Sequence, residues 1–376
     1  MDDFKSTKEL AFLLQIIKGD QPTEVQLDEQ HLLSLANDHR IVSLIAKNSD
    51  SLPENIRTPF TQDSKQIKLY QLQLTVELQR IYELLLEVPF MVLKGPVLSQ
   101  IIYQNPAERQ SKDLDLFVEE SQLDLVIELL QKGGYIITSQ YQTSKQKEAI
   151  LRHYHHVDLN HPEKGIQIEL HWNLTANKNI QIQITDLLKK TIKVKVGNNE
   201  FNTLEEKDLI GYLCIHGVFH AYFRLQWLVD IYMLLKQKTK EEQLALYDYY
   251  QQEGIEHYYL MTLALLHQIL KLPIHKKLWD SYNASKRLKQ LVKICFEEIN
   301  DNDSFAHGAL KSGGAKNMVR RHRIQYLSEG LAGLVKSVHS RNVRPQNWQV
   351  YAFPDRFFFL NNLFSRFIWL FGKIKK

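Results

Sequence analysis

Two alternating runs constrain this chain more than anything else in it. They are Lys112-Asp113-Leu114-Asp115-Leu116-Phe117-Val118 and Ile166-Gln167-Ile168-Glu169-Leu170-His171-Trp172. A polar/apolar period of two is the signature of a strand with one buried face. Asp113 and Asp115 therefore point to the same face, one pleat apart. Glu169 shares its face with Gln167 and His171, opposite Ile166, Ile168 and Leu170. If the two strands are neighbours, three carboxylates converge on one patch. Such a patch repels itself and shifts its own pKa values. Hard divalent cations relieve the repulsion, and Mg²⁺ (or Mn²⁺) with a bound polyphosphate is the commonest reason to build one.

The residues upstream fit a phosphate. Pro89-Phe90-Met91-Val92-Leu93 reads as a short buried strand, followed by Lys94-Gly95-Pro96 and a helix through Val97 to Tyr103. Pro96 suits the first helical position, where a missing N–H costs nothing. A helix N-terminus after a Gly turn suits phosphate oxygens, and Lys94 and Arg109 bring positive charge beside them. His171, on the face of Glu169, is placed to touch metal or phosphate, or to pair with a structural carboxylate. His216, His220 and Arg224 recur at i, i+4 and i+8 and read as a stripe on one long helix. Two histidines at that spacing can bind zinc, but no third ligand is evident in sequence. The stripe is expected to turn toward the cleft and contact base, sugar or phosphate, with Asp230 orienting a histidine or capping the domain interface. Arg152-His153-Tyr154-His155-His156-Val157-Asp158 is expected to flank the active site rather than to form a metal site. The basic run around Lys316, Arg320, Arg321 and Arg323 reads as a solvated helix face, with RNA phosphate as the alternative.

At these residues the chain resembles the DNA-polymerase-β-like nucleotidyltransferases, and in particular an uncharacterised family among them. The resemblance rests on Lys94-Gly95, on Arg109 to Asp115 as Arg-x-x-x-Asp-x-Asp, and on Glu169-Leu170-His171-Trp172. It continues in Leu213-Cys214-Ile215-His216-Gly217, Leu225 to Asp230, Leu35-Ala36-Asn37-Asp38-His39-Arg40 and the Pro354 region. The chain departs at Gly95-Pro96, where the superfamily usually has Gly-Ser or Gly-Gly, so Pro96 offers no N–H to a phosphate. The resemblance implies an α+β fold in which a small mixed-sheet nucleotidyltransferase core is flanked by helical regions. It implies transfer of a nucleoside monophosphate from an NTP, ATP among the candidates, to an acceptor: a small molecule, a peptide or protein, or an RNA end. A role in tailoring peptide natural products is one form of this. Asp113, Asp115 and Glu169 would hold Mg²⁺, with Glu169 completing a metal shell or accepting the acceptor's proton. Lys94, Gly95, Arg109, His171, His216, His220 and Arg224 would contact the nucleotide. The alternative is a non-catalytic module that holds a nucleotide or a partner in the same cleft.

Organisation follows from punctuation. At 376 residues and 44% hydrophobic content, the chain can bury a sizeable core in two or three units. The expected division is a helical region at 1–87, a catalytic core at 88–202 and a helical domain at 203–376. The core is expected to hold strands near 89–93, 113–118, 135–138, 156–159 and 166–172, a helix over 121–132 ending at Gly133-Gly134, and a hairpin over Thr191 to Asn202. The region before it is expected to be helical over 6–48, with one long helix from about Thr61 to Glu87. Thr203-Leu204-Glu205-Glu206 resembles a capping box that opens the C-terminal helices, expected near 241–253, 255–271, 284–299, 317–338 and 355–374. Asn300 to Gly314 reads as a linker. A net charge of +4 does not by itself argue for nucleic acid. Two cysteines, Cys214 and Cys295, exclude a disulfide framework and a cysteine zinc cluster. The acidic start and the lack of a long apolar run make a reducing cytoplasm the expected compartment. The tail, with Phe357, Leu360, Phe364, Phe367 and Ile368 on one helical face, is expected to close the C-terminal domain; peripheral contact with a membrane is the alternative.

Overall fold

The computed structural model describes residues 5–22, 26–50, 52–138, 141, 143–175 and 188–300, together with parts of 323–368. It is a mixed α+β structure. Three short helices, α1 (Lys8–Lys18), α2 (Glu29–Asp38) and α3 (Val42–Lys47), lead into α4 (Glu54–Leu84). The sheet elements follow: β1 (Phe90–Val92), α5 (Gly95–Tyr103), β2 (Asp113–Val118), α6 (Leu123–Lys132), β3 (Ile136–Ile137), α7 (Ser144–His153), β4 (His156–His161) and β5 (Ile166–His171). A hairpin, β6 (Thr191–Val196) and β7 (Asn199–Leu204), then delivers the chain to α8 (Glu206–Phe219), α9 (Leu225–Leu235), α10 (Lys240–Gln252), α11 (Glu256–Leu270), α12 (Lys276–Ala284) and α13 (Lys286–Asn300).

The five-stranded sheet has the order β1-β2-β5-β4-β3. Only β2 and β5 run parallel; the other pairs are antiparallel. Alternation assigns each face. Leu114, Leu116, Val157, Leu159, Ile166, Ile168 and Leu170 bury against Leu74, Leu78 and Ile81 of α4 and Val126 and Leu130 of α6. The opposite face meets a separate core, in which Met91, Leu93 and Phe117 pack with α8–α13 and with α1–α3. The N-terminal and C-terminal helices thus share one hydrophobic core, and the sheet lies between it and α4/α6.

Several boundaries follow local chemistry the alternation alone does not reveal. The long helix α4 starts at Glu54 rather than near Thr61, with Pro53 as its N-cap residue and Pro59 accommodated inside. Helix α6 ends as expected, Gly134 taking φ +95° so that Tyr135 N–H reaches Leu130 C=O at 3.0 Å. The capping box expected at Thr203 does not form. Thr203 belongs to β7 and its hydroxyl donates to Val92 C=O at 2.7 Å, tying the hairpin to β1. Helices α7 and α12 were not legible in the sequence. Each buries few side chains, Gln146, Ala149 and Ile150 in one and Leu278 and Tyr282 in the other, and each starts at a side-chain cap, Thr143 or His275. The linker at 300–314, the helix at 317–338 and the basic run fall largely outside the described residues.

The tail departs from its expected packing. Helix α14 (Pro345–Val350) precedes α15 (Phe359–Leu363). Phe357, Phe364 and Phe367 are exposed, whereas the polar Asn361 and Ser365 are buried. Asn361 Oδ1 accepts from Phe353 N–H, and Asn347 Nδ2 donates to Ser365. Side-chain hydrogen bonds and the buried Ile368, more than the exposed Phe357, Phe364 and Phe367, anchor this segment. Residues beyond 368 lie outside the described set. Among the described residues no helix is long and apolar enough to cross a membrane.

The corner between α8 and α9 is tight. Ala221 and Tyr222 both take positive φ, 53° and 49°, and Tyr222 N–H donates to Gly217 C=O at 2.8 Å. The Tyr222 ring lies over Gly217, where an added Cβ would stand 2.2 Å from a ring carbon. Alanine is favoured over glycine in a helix by about 1 kcal/mol, but the fully buried ring has nowhere to retreat. Gly217→Ala should therefore cost about 1–3 kcal/mol net, read as a lower urea midpoint. An unchanged or raised midpoint would show that the ring yields.

Candidate active site

Register, more than sequence proximity, builds the site. β2 pairs with β5 so that Asp113 faces Gln167 and Asp115 faces Glu169. β4 pairs with β5 so that Asp158 faces Glu169 and His156 faces His171. Three strands therefore present one polar face, with Asp115, Glu169 and Asp158 in a row across it and the histidines one pleat further on. Asp115, Glu169 and His171 offer ligand atoms within 4.8 Å of one another, and so do His156, Asp158 and Glu169. Asp113 stands one pleat back along β2 and belongs to neither compact set.

Lys94 follows β1, where Leu93 N–H donates to Asp115 C=O at 2.9 Å. Its ammonium is buried, 2.9 Å from Asp115 Oδ1 and 5.8 Å from the centre of the Tyr212 ring. Gly95 follows with φ +67°, a conformation L side chains rarely adopt, and this turn swings the chain from β1 into α5. His171 Nε2 lies 3.4 Å from both Asp115 Oδ1 and Glu169 Oε2.

Charges in this row do not titrate alike. Burial would raise Asp115, but Lys94 and His171 override it and hold the carboxyl well below its ordinary range. Asp113 is pushed up to about 6 by burial and by the charges of Asp115 and Glu169. Glu169 is held down despite its burial, chiefly by His171. His171 itself is raised, because its two carboxylate partners outweigh its burial. Among these carboxyls, Asp113 is the one whose charged form is disfavoured. Asp115 Oδ1, though ion-paired, has no well-directed hydrogen bond. An oxygen-rich donor set of clustered carboxylates fits a hard divalent cation.

Arg109 sits where its phosphate role would not place it. Its guanidinium is buried, with Nε 2.9 Å from Asp230 Oδ2 and Nη1 2.7 Å from Ser111 Oγ. Its amide donates to Ser99 Oγ, and Gln71 clamps Ser111 through both backbone groups, donating at 3.0 Å and accepting at 2.9 Å. Arg109 thus fastens the approach to β2 onto α5, α4 and α9. His216, His220 and Arg224 do not stripe one helix, because α8 ends at Phe219 and Arg224 is the N-cap residue of α9. The sharp corner gathers them around Trp227 instead: His216 at 5.1 Å and His220 at 5.0 Å between ring centres, and the Arg224 guanidinium 5.6 Å from the ring. Burial pushes His216 well below the ordinary imidazole range.

Sequence reasoning missed Arg40 as a site residue. It takes φ 56° in the turn after α2. His39 ties that turn to the start of α9, accepting from Leu225 N–H on Nδ1 at 3.1 Å and from Gln226 N–H on its carbonyl at 3.2 Å. Arg40 and Arg224 are thereby brought into each other's field. Burial, then Arg224, lowers Arg40 to about 10, and Asp113 acts on both arginines from the sheet. The only sequence signal was an Arg in the Leu35–Arg40 stretch, some seventy residues away from the Asp-x-Asp strand.

The raised Asp113 has a thermodynamic consequence. A carboxyl whose pKa is higher in the folded state binds its proton more tightly there than in the unfolded chain. Its contribution to stability therefore falls as pH rises from the ordinary carboxyl range to about 6 and stays unfavourable above it. In EDTA, Asp113→Asn should stabilise the protein on the order of 1–2 kcal/mol at neutral pH, allowing for solvent screening. The gain should mostly vanish by about pH 4. Urea denaturation at both pH values checks this, and an equal gain at both would remove charge repulsion as the cause.

No curated protein matches the chain. A family model described as an uncharacterised nucleotidyltransferase matches residues 26–271, from before α2 to the end of α11. That span takes in Arg40, both carboxylate strands and the α8–α9 corner. The chain belongs to this uncharacterised nucleotidyltransferase family.

Proposed function

We propose that this protein transfers a nucleoside monophosphate from an NTP to an acceptor hydroxyl, with Mg²⁺ or Mn²⁺ as the metal. The observation that carries the reading is the in-register pairing of Asp115 with Glu169, beside Asp113 and the Gly95 turn, in a chain of this family. Asp113, Asp115 and Glu169 would hold the cation. When bound, the cation supplies neutralisation of the triphosphate and lowers the pKa of the attacking hydroxyl.

The chain's own residues supply the rest. Glu169, whose side chain is 25% exposed and stands in register with Asp115, would take the acceptor's proton as the acceptor oxygen bonds to the α-phosphorus. Arg40 and Arg224, facing Asp113 from the helical side, offset the charge that develops on the departing pyrophosphate. Lys94 fixes the Asp115 carboxylate. Arg109 acts through Asp230 as a positioning residue that holds β2 against α9. His216 and His220, packed on Trp227, form the wall a base or acceptor would meet. The acceptor is a small molecule, a peptide or protein, or an RNA end.

One observation favours the alternative of a non-catalytic nucleotide-binding module: the Lys94 ammonium already neutralises Asp115 at 2.9 Å. The two readings part on metal dependence. With catalysis, an NTP should raise the melting temperature only with Mg²⁺ or Mn²⁺ present, and pyrophosphate should be released when cell extract supplies the acceptor. Glu169→Gln should slow release about 100-fold or more, and Arg40→Gln or Arg224→Gln should weaken the NTP-induced shift. Equal stabilisation in EDTA, with no pyrophosphate released, would favour the binding module.

A further inference from the structure

Next to the carboxylates, the same sheet face carries a chemically different donor set that the proposed reaction does not use. His156 and His171 are register partners on β4 and β5. His155 immediately precedes β4, and its carbonyl accepts from Trp172 N–H at 3.1 Å, which draws it alongside the end of β5. His155 Nε2 and His156 Nδ1 are 3.2 Å apart. Ring centres stand 4.5 Å apart for His155 and His156, 4.9 Å for His156 and His171, and 5.5 Å for His155 and His171. One nitrogen from each of the three rings lies within 4.8 Å of the others.

These distances suit a tetrahedral ion. With bonds of about 2.0–2.1 Å, nitrogens in a tetrahedral shell sit about 3.4 Å apart. The closest pair, 3.2 Å apart, is near this spacing, and the His171 nitrogen lies within 4.8 Å of both. Carboxylates back two of the rings, as metal-binding histidines commonly require. His171 Nε2 faces Asp115 and Glu169, and His156 Nε2 lies 3.7 Å from Asp158 Oδ1. His171 is 2% exposed and its Nδ1 has no hydrogen-bond partner. A purely structural imidazole network would leave that buried nitrogen without a partner.

We propose that His155, His156 and His171 bind a zinc-class divalent ion, with the fourth position open to water or an anionic oxygen. Imidazole nitrogens select borderline ions such as Zn²⁺, whereas the carboxylates beside them select Mg²⁺ or Mn²⁺. The two sets thus sort ions by chemistry on one sheet face. The proposal stands on these histidines and does not depend on nucleotidyl transfer.

The test uses the full-length protein stripped of metal and titrated with Co²⁺ in excess Mg²⁺. One Co²⁺ per chain should bind with the intense visible absorption of a tetrahedral nitrogen-rich site, and Zn²⁺ should displace it. His155→Gln and His156→Gln should each weaken binding more than the about 10–100-fold lost with an outer partner, while Asp113→Asn leaves it unchanged. X-ray absorption of the wild-type Zn²⁺ form needs no variant and should show about three imidazole nitrogens at about 2.0–2.1 Å. No tetrahedral absorption, no effect of either histidine change, or an all-oxygen shell would overturn the proposal. Loss of Mg²⁺-dependent nucleotide binding with the Co²⁺ site intact would strike only the nucleotidyltransferase reading.

Discussion

The parallel register of β2 on β5 is the constraint on which the rest of the site depends. With Asp115 opposite Glu169, the polar residues of three strands fall on one face and the apolar ones on the other. A slip of one residue would send Leu114 and Leu116 toward the carboxylates and the aspartates into the core against α4 and α6. The apolar side is thoroughly buried, so the register is strongly specified. The chemistry on the polar face is a by-product of that specification.

Holding so much polarity inside a covered sheet face requires compensating charge, and the fold supplies it from three directions. Lys94 comes from the end of β1, His171 from within β5, and Arg109 anchors the approach to β2 by pairing with Asp230 of α9. Buried ion pairs seldom add much net stability relative to a well-packed apolar core, but removing one partner is costly because the other charge is left uncompensated. The Arg109–Asp230 pair therefore acts as a fastening between the sheet and the helical region. It fixes where Arg224, at the head of the same helix, stands relative to Asp113.

The face opposite α4 is where distant parts of the chain meet the site. Two such segments bear on it: the turn after α2 with Arg40, and the α8–α9 corner with His216, His220 and Arg224. They are joined through His39 and the start of α9. Positive φ at Arg40, Ala221 and Tyr222 marks local conformational cost held in place by the surrounding core. Of these turns, the one at Arg40 lies within the field of Asp113.

Much of this was written in the sequence, because the signals were local and periodic. Two-residue alternation in 113–118 and 166–171 determined which residues share a face, Gly95 and Gly133-Gly134 marked turns, and apolar spacing marked most long helices. Short capped helices such as α7 escaped because few of their side chains are buried. The three-carboxylate patch was legible, yet the compact sets are Asp115, Glu169 and His171, and His156, Asp158 and Glu169, with Asp113 set apart. That distinction depends on cross-strand register, which no single strand encodes. The i, i+4, i+8 spacing of His216, His220 and Arg224 misled, because Gly217 lets Tyr222 fold the chain back within that span. Arg109's turn toward Asp230, the meeting of Arg40 with Arg224 and the gathering of three histidines all join residues across long stretches of chain. The sequence alone determined which chemical groups this protein owns and which strand face carries them. Only the tertiary structure decided which of them meet, because long-range packing and strand register set those distances and local propensity does not.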